Sequence, residues 1–241
     1  MRLQDLNWMD VERYLDEDDR IMLIMGSTEQ HAYLSLMTDT LMVSHIATAA
    51  AKRESVLIAP PLNFGVSEMF IGFPGTITIS RATFEMVLVE IVESLMHQGF
   101  THFFILNGHG GNQEPPRLHD LHMDGVIEVQ WYEWWNTEAV RAFEDEQGLE
   151  IDHANWGENF PFNRVAESPS REKETINLSL IDSSNSARDV LGDGNFGGHY
   201  QLDDAVMMAL FDTIVDDVVA QLRAQRPDRQ PDEAVDDPED E

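Results

Sequence analysis

Ile21-Met22-Leu23-Ile24-Met25-Gly26-Ser27-Thr28-Glu29-Gln30-His31 opens on five apolar residues and closes on a carboxylate and an imidazole. A short, wholly apolar run of this kind reads as a strand buried on both faces, as in a parallel sheet. Glu29 and His31 follow two residues apart, so extended backbone points both side chains the same way. Open α/β sheets place their sites at that end of their strands. A second run, His102 to Leu106, is followed in the same manner by Asn107-Gly108-His109-Gly110-Gly111-Asn112, and Thr38-Asp39 stands at the start of the first expected helix. Two carboxylates and two imidazoles from two strand ends suit one or two divalent metals of the zinc or manganese kind. Any one of these residues alone reads better as a helix cap or an ordinary polar residue. Motif-rich loops after two separate strands outweigh that reading.

Outward from these runs, Ser55 to Ala59 and Ile127 to Trp131 read as further short strands. Asp39 to Arg53 and Arg81 to His97 read as helices between them, the second with Ser80 as its N-cap and Gly99 as its stop. Helices are also expected over Gly111 to Gly125, where Pro115-Pro116 must sit in the first turn, over Asn136 to Gln147, and over Asp203 to about Gln225. The order βαβαβαβ implies a three-layer α/β/α arrangement with a mainly parallel sheet and right-handed crossovers. With 241 residues and no internal repeat, one domain over residues 1–226 is the simplest division. From Pro227 the chain is Pro-, Asp- and Glu-rich, and residues 227–241 are expected to form an acidic disordered tail.

The chain has 45 Asp and Glu against 15 Lys and Arg, a formal charge of −30, and its lysines are Lys52 and Lys173. Such a surface repels phosphate backbones and anionic lipids, which disfavours nucleic-acid and membrane partners. Pervasive acidity with few lysines is also the composition of halophilic cytoplasmic proteins, whose carboxylate repulsion is screened by salt. There are no cysteines, so disulfides are excluded and any metal is held by oxygen and nitrogen. No segment reads as a secretory signal or membrane span, and a cytoplasmic location is expected.

Four blocks together resemble the creatininase family of metal-dependent amidohydrolases. Gly26 to Asp39 match the family's Gly-Ser-x-Glu-Gln-His motif and its closing Thr-Asp, and Asn107 to Asn112 match its Asn-Gly-His motif. Phe64-Gly65-Val66-Ser67 with Phe73-Pro74-Gly75-Thr76 looks like its substrate-side loop, and His153-Ala154 with Glu158 looks like its His-Ala-Gly-x-x-Glu element. The blocks keep the family's order over about residues 21 to 160. The departures bear on substrate. Between His31 and Asp39 the chain is one residue shorter than usual, with Ala32-Tyr33-Leu34-Ser35 in place of a Gly-Pro-His-rich stretch. Gly111 stands where creatininase proper has a metal-binding glutamate, and Leu149 where it has an aromatic residue. Creatinine itself is therefore a poor candidate substrate.

The resemblance implies two divalent ions, zinc first with manganese or iron as alternatives. They would be held by Glu29, His31, Asp39, His109 and Glu158, with Asp39 bridging and Glu158 replacing the carboxylate missing at Gly111. Two such ions lower the pKa of a bound water to about 7 and hold hydroxide beside a polarised carbonyl. His153 would protonate the leaving nitrogen. Ser67, Gly110 with its neighbouring N–H groups, and Trp156 are the expected substrate contacts. The cluster Trp131-Tyr132-Glu133-Trp134-Trp135 is expected in the core or a subunit contact, and His199 is not expected at the site. The expected substrate is a small molecule with a non-peptide C–N bond, in a cyclic amide or a formamide. Hydrolysis of a C–C bond in an inositol-derived cyclic diketone remains an alternative, as does a non-catalytic metal-binding regulatory protein. A homo-oligomer, a hexamer by the same resemblance, is expected.

Overall fold

The computed structural model describes residues 1–181 and 186–226; the acidic tail expected over 227–241 lies outside them. Four strands, β1 (Arg20–Met25), β2 (Leu57–Ile58), β3 (His102–Asn107) and β4 (Glu128–Glu133), form one parallel sheet in the order β2-β1-β3-β4. Every residue of β1 is buried, as its unbroken apolar run requires of a central strand covered on both faces.

Alternation along the strands divides the core in two. Met22, Ile24, Phe104 and Leu106 face one layer, made by α2 (Thr38–Glu54), α5 (Glu138–Gln147) and α7 (Asp204–Ala224). Ile21, Leu23, Met25, Phe103 and Ile105 face the other, where α1 (Trp8–Leu15) supplies Tyr14, α3 (Arg81–Met96) supplies Phe84, Leu88 and Val92, and α4 (Pro116–Met123) supplies Leu118 and Leu121. The fold is thus a three-layer α/β/α sandwich. Each fully buried apolar side chain of this kind contributes about 1.5–3 kcal/mol. A smaller cluster of Phe70 and Phe73 with Ala187 and Leu191, the latter two from α6 (Ala187–Leu191), lies apart from these.

The topology fixes where the motif loops meet. From β1 the chain passes through α2 to β2, then through α3 on the opposite face to β3, so the two crossovers diverge at the β1/β3 seam. Met25 pairs with Asn107 at the last position of that seam, so the loops after β1 and β3 leave side by side. This is the switch-point crevice of an open α/β sheet.

Boundaries differ from expectation where local chemistry intervenes. β2 is cut to two residues because Ser55 caps α2 in a left-handed conformation (φ 58°) and Pro60-Pro61 follow Ala59. The fourth helix begins only at Pro116, since prolines suit a first turn and not an interior. α1 was not expected. Its signal was Asn7 followed three residues later by Asp10, which form a reciprocal capping box.

Candidate metal centre

Glu29, His31, Asp39, His109 and Glu158 converge at the C-terminal end of the β1/β3 seam, and all five are buried. Each is aimed by a neighbour. His31 donates from Nδ1 to the Glu29 carbonyl (3.2 Å), which leaves its Nε2 facing Asp39 Oδ1 at 2.8 Å and Glu158 Oε2 at 3.6 Å. His109 donates from Nε2 to the Val66 carbonyl (3.0 Å), which leaves Nδ1 facing Asp39 Oδ2 at 3.1 Å and Glu29 Oε1 at 3.4 Å. Asp39 sits in the first turn of α2 and directs one oxygen at each imidazole. Glu158, in the short helical turn Trp156–Glu158, accepts from the Ala154 N–H at 2.6 Å.

The loop after β3 is built to bring His109 in. Asn107 donates to the His109 carbonyl (2.9 Å) and accepts from its N–H (3.2 Å), while Asn112 bonds both Asn107 Oδ1 (3.2 Å) and the Gly26 carbonyl (3.3 Å). A Cβ at residue 108 would lie 2.4 Å from the Asp39 carbonyl, so only glycine lets this loop reach the start of α2.

The donor atoms form two triples that share Asp39, namely Glu29-Asp39-His109 and His31-Asp39-Glu158, and a third, Glu29-His31-His153. Glu29 Oε2, His31 Nε2 and Asp39 Oδ2 are buried without an aligned hydrogen-bond partner, although other donors and acceptors stand close. Lone pairs that converge without hydrogen bonding one another, drawn from oxygen and imidazole donors, fit divalent cations. The electrostatics agree. Burial opposes protonation of His31, yet Asp39 and Glu158 push it up to about 10; burial likewise opposes protonation of His109, which Asp39 and Glu29 raise well above the ordinary histidine value. Burial raises Glu158 to about 7, helped by the Asp39 charge against the pull of His31, and Asp39 falls well below the carboxylate range because both histidines outweigh its burial. The carboxylates thus favour positive charge at the positions that cations would take.

A cavity of about 380 Å³ opens above the cluster, and Glu29, Asp39, His109, His153, Glu158 and Gly110 are among its lining residues. His153 lies with Nδ1 3.7 Å from Glu29 Oε1 and with its ring stacked on Phe70 at 4.5 Å. Burial and the His31 charge hold it well below the ordinary histidine value. Ser67 and Trp156 do not reach the cavity. Ser67 is buried behind His109 and shares a 2.5 Å hydrogen bond with Ser27, while Trp156 points into the core and donates to the Glu150 carbonyl at 3.0 Å. The walls are instead Met69, Phe70, Trp134, Trp135, Ile151 and Phe196. Trp134 belongs to the core as expected and faces the cavity as well. His199 lines a different depression.

The Creatininase family model, described as creatinine amidohydrolase, matches residues 4–239. The chain belongs to the creatininase family. A mycofactocin precursor peptide peptidase of Mycolicibacterium smegmatis is 39% identical over 102 residues, 39% of this chain and 40% of that protein. Creatinine amidohydrolase of Pseudomonas putida is 30% identical over 115 residues, 45% of this chain and 44% of that protein. The matched segments therefore span under half the length of these curated relatives. Among solved structures, creatininase in a manganese form and a mutant creatininase of Zn–Zn type each match with a TM-score of 0.74 at 20% identity, over 94% of this chain and 98% of theirs. That likeness shows a shared creatininase fold. The candidate ligand triples lie within the residues that the family model matches. No helix among the described residues is long and apolar enough to cross a membrane.

Proposed function

We propose that this creatininase-family chain hydrolyses a non-peptide C–N bond, in a cyclic amide or a formamide, with two divalent ions at the base of the cavity. The observation that carries the reading is the pair of ligand triples that share Asp39 beside His153. Glu29 and His109 would hold one ion and His31 and Glu158 the other, with one Asp39 oxygen toward each. Gly111 supports the role of Glu158. A Cβ there would lie 2.0 Å from the Val66 carbonyl and 2.4 Å from His109 Nε2, so no side chain at residue 111 fits this backbone. The second carboxylate must come from elsewhere, and Glu158 Oε2 already stands 3.6 Å from His31 Nε2. When bound, the ions supply Lewis acidity and an activated water; zinc is the first candidate, with manganese or iron as alternatives. The side chains around them orient the carbonyl, exclude water through Phe70, Phe196, Trp134 and Trp135, and present His153 Nδ1 to the reacting group.

A second reading, hydrolysis of a peptide bond, is favoured by the identity with the Mycolicibacterium smegmatis peptidase. Both readings break a C–N bond, and the matched relatives, a peptidase and an amidohydrolase by name, support that bond type over C–C hydrolysis. The test is reconstitution with zinc or manganese, followed by pH-stat assay of cyclic amides, formamides and short peptides in high salt. Turnover of the first two classes and not the third is the expected result. Turnover of peptides alone would favour the second reading, and a protein that takes up no metal would overturn both.

A further inference from the structure

Gln30 lies between the two motif ligands Glu29 and His31, is itself buried, and belongs to no ligand triple. Its amide is fixed end for end by two backbone groups that each play one role. The Ala32 N–H donates to Oε1 at 3.1 Å, and the Gly194 carbonyl accepts from Nε2 at 3.0 Å. The flipped amide would set N–H against N–H and oxygen against oxygen at both contacts. Gly194 is shaped for this contact, since its φ of +102° suits glycine and a Cβ there would lie 1.7 Å from Oε1.

With the amide so fixed, its remaining N–H points at His153. Gln30 Nε2 and His153 Nε2 are 2.8 Å apart, and a hydrogen bond between them requires the histidine nitrogen to accept. We infer that Gln30 is a positioning residue that holds His153 as its Nδ1–H tautomer, with the proton on the nitrogen nearer the ligand cluster. Phe70 on one face and Phe196 at 4.9 Å restrict rotation of the ring out of this contact. The Gln30 carbonyl also lies 3.1 Å from His153 Nε2, but the amide is nearer and its orientation is settled by its other two bonds.

Two consequences follow for the site, and they rest on the hydrolase reading above. His153 donates to a group in the cavity instead of accepting from one. Its Nδ1 also has no lone pair to offer a cation, which removes the Glu29-His31-His153 triple and leaves the two triples that share Asp39.

The experiment is a two-bond ¹H–¹⁵N correlation spectrum of zinc-loaded protein labelled at histidine nitrogens, with His153 assigned by the signals lost in His153→Gln. The expected spectrum shows His153 protonated at Nδ1 and bare at Nε2. In Gln30→Glu the carboxylate has no N–H to donate, and the tautomer is expected to switch to Nε2–H. Gly194→Ala, whose methyl displaces the same amide, is expected to lose the Nδ1–H preference if the carboxylate variant does not fold. A wild-type spectrum with Nε2–H, or variants that keep the wild-type tautomer, would overturn the inference. The tautomer is read without turnover, so an enzyme that cleaves none of the proposed amides leaves this result standing and fails only the functional reading.

Discussion

Removal of the Asp39 side chain takes one oxygen from each imidazole, since Oδ1 faces His31 and Oδ2 faces His109. Asp39→Ala is therefore expected to abolish binding of both metals, whereas Glu158→Gln should weaken one, and elemental analysis after zinc reconstitution separates the outcomes. His153→Ala should keep both metals and lower the maximal rate by roughly 10² to 10⁴, the scale of a lost proton donor. Metal uptake should also expel protons. The ordinary histidine value is about 6.5, and against its burial Asp39 and Glu158 push His31 up to about 10, so at pH 8 a cation is expected to displace a proton from His31. Calorimetric zinc-binding heats should then vary with the ionisation enthalpy of the buffer, and buffer-independent heats would contradict the assignment. At this scale Glu29, His31 and His109 were legible because carboxylates and imidazoles after apolar runs form an uncommon pattern, Asp39 by its place at the start of the next helix, and Glu158 only through the family resemblance. Phe70, Phe196 and Ile151 were not. An aromatic or aliphatic side chain looks the same in sequence whether it fills the core or lines a cavity, and packing alone decides.

The crevice depends on how closely α2 and the loop after β3 approach. Gly108→Ala should separate them, since its methyl would meet the Asp39 carbonyl, and a loss of metal affinity larger than the loss of stability is expected from parallel zinc titration and urea melts. Ser80→Ala gives the contrasting case. It removes the side-chain cap of α3, which accepts from the Thr83 N–H, and should cost about 1 kcal/mol with metal binding unchanged. The longer helices and the three longer strands could be read from apolar period and caps, because burial on one or both faces imposes that period. β2 was overextended: its paired residues are Leu57 and Ile58, and beyond them the Ala59 N–H still donates to the Met22 carbonyl at 2.9 Å. The stretch between α5 and α7 carried the least signal. Its short turns are held by contacts to residues distant in sequence, such as the Trp156 N–H on the His199 carbonyl and the Lys173 ammonium on the Leu191 and Asn195 carbonyls.

Across the whole molecule, a formal charge of −30 makes self-repulsion a destabilising force that salt relieves. The melting temperature is expected to rise between about 0.1 and about 2 M potassium chloride, as the screening length falls from about 10 Å to below about 3 Å; an unchanged value would identify an ordinary acidic protein. Acid should act in the opposite direction through Asp18. Burial raises its carboxyl, but hydrogen bonds and charge from Arg20 outweigh this and hold it below the ordinary range. A depressed carboxyl contributes stability that is full above the unfolded value of about 4 and is lost as pH falls through the folded one. Asp18→Asn should flatten this part of the stability profile in thermal melts from pH 6 to pH 2. The same Arg20 has a consequence for the order of events at the ribosome. It lies at the start of the central strand and is buried, yet its Nη1 donates to the Leu222 carbonyl at 2.7 Å, 202 residues later. At about 5–20 residues per second, roughly 10–40 s pass between synthesis of the guanidinium and of its acceptor. Throughout that interval the guanidinium is already paired with Asp18 but one of its N–H groups still lacks its acceptor, so this end of the central strand is sealed only after the last helix has been made.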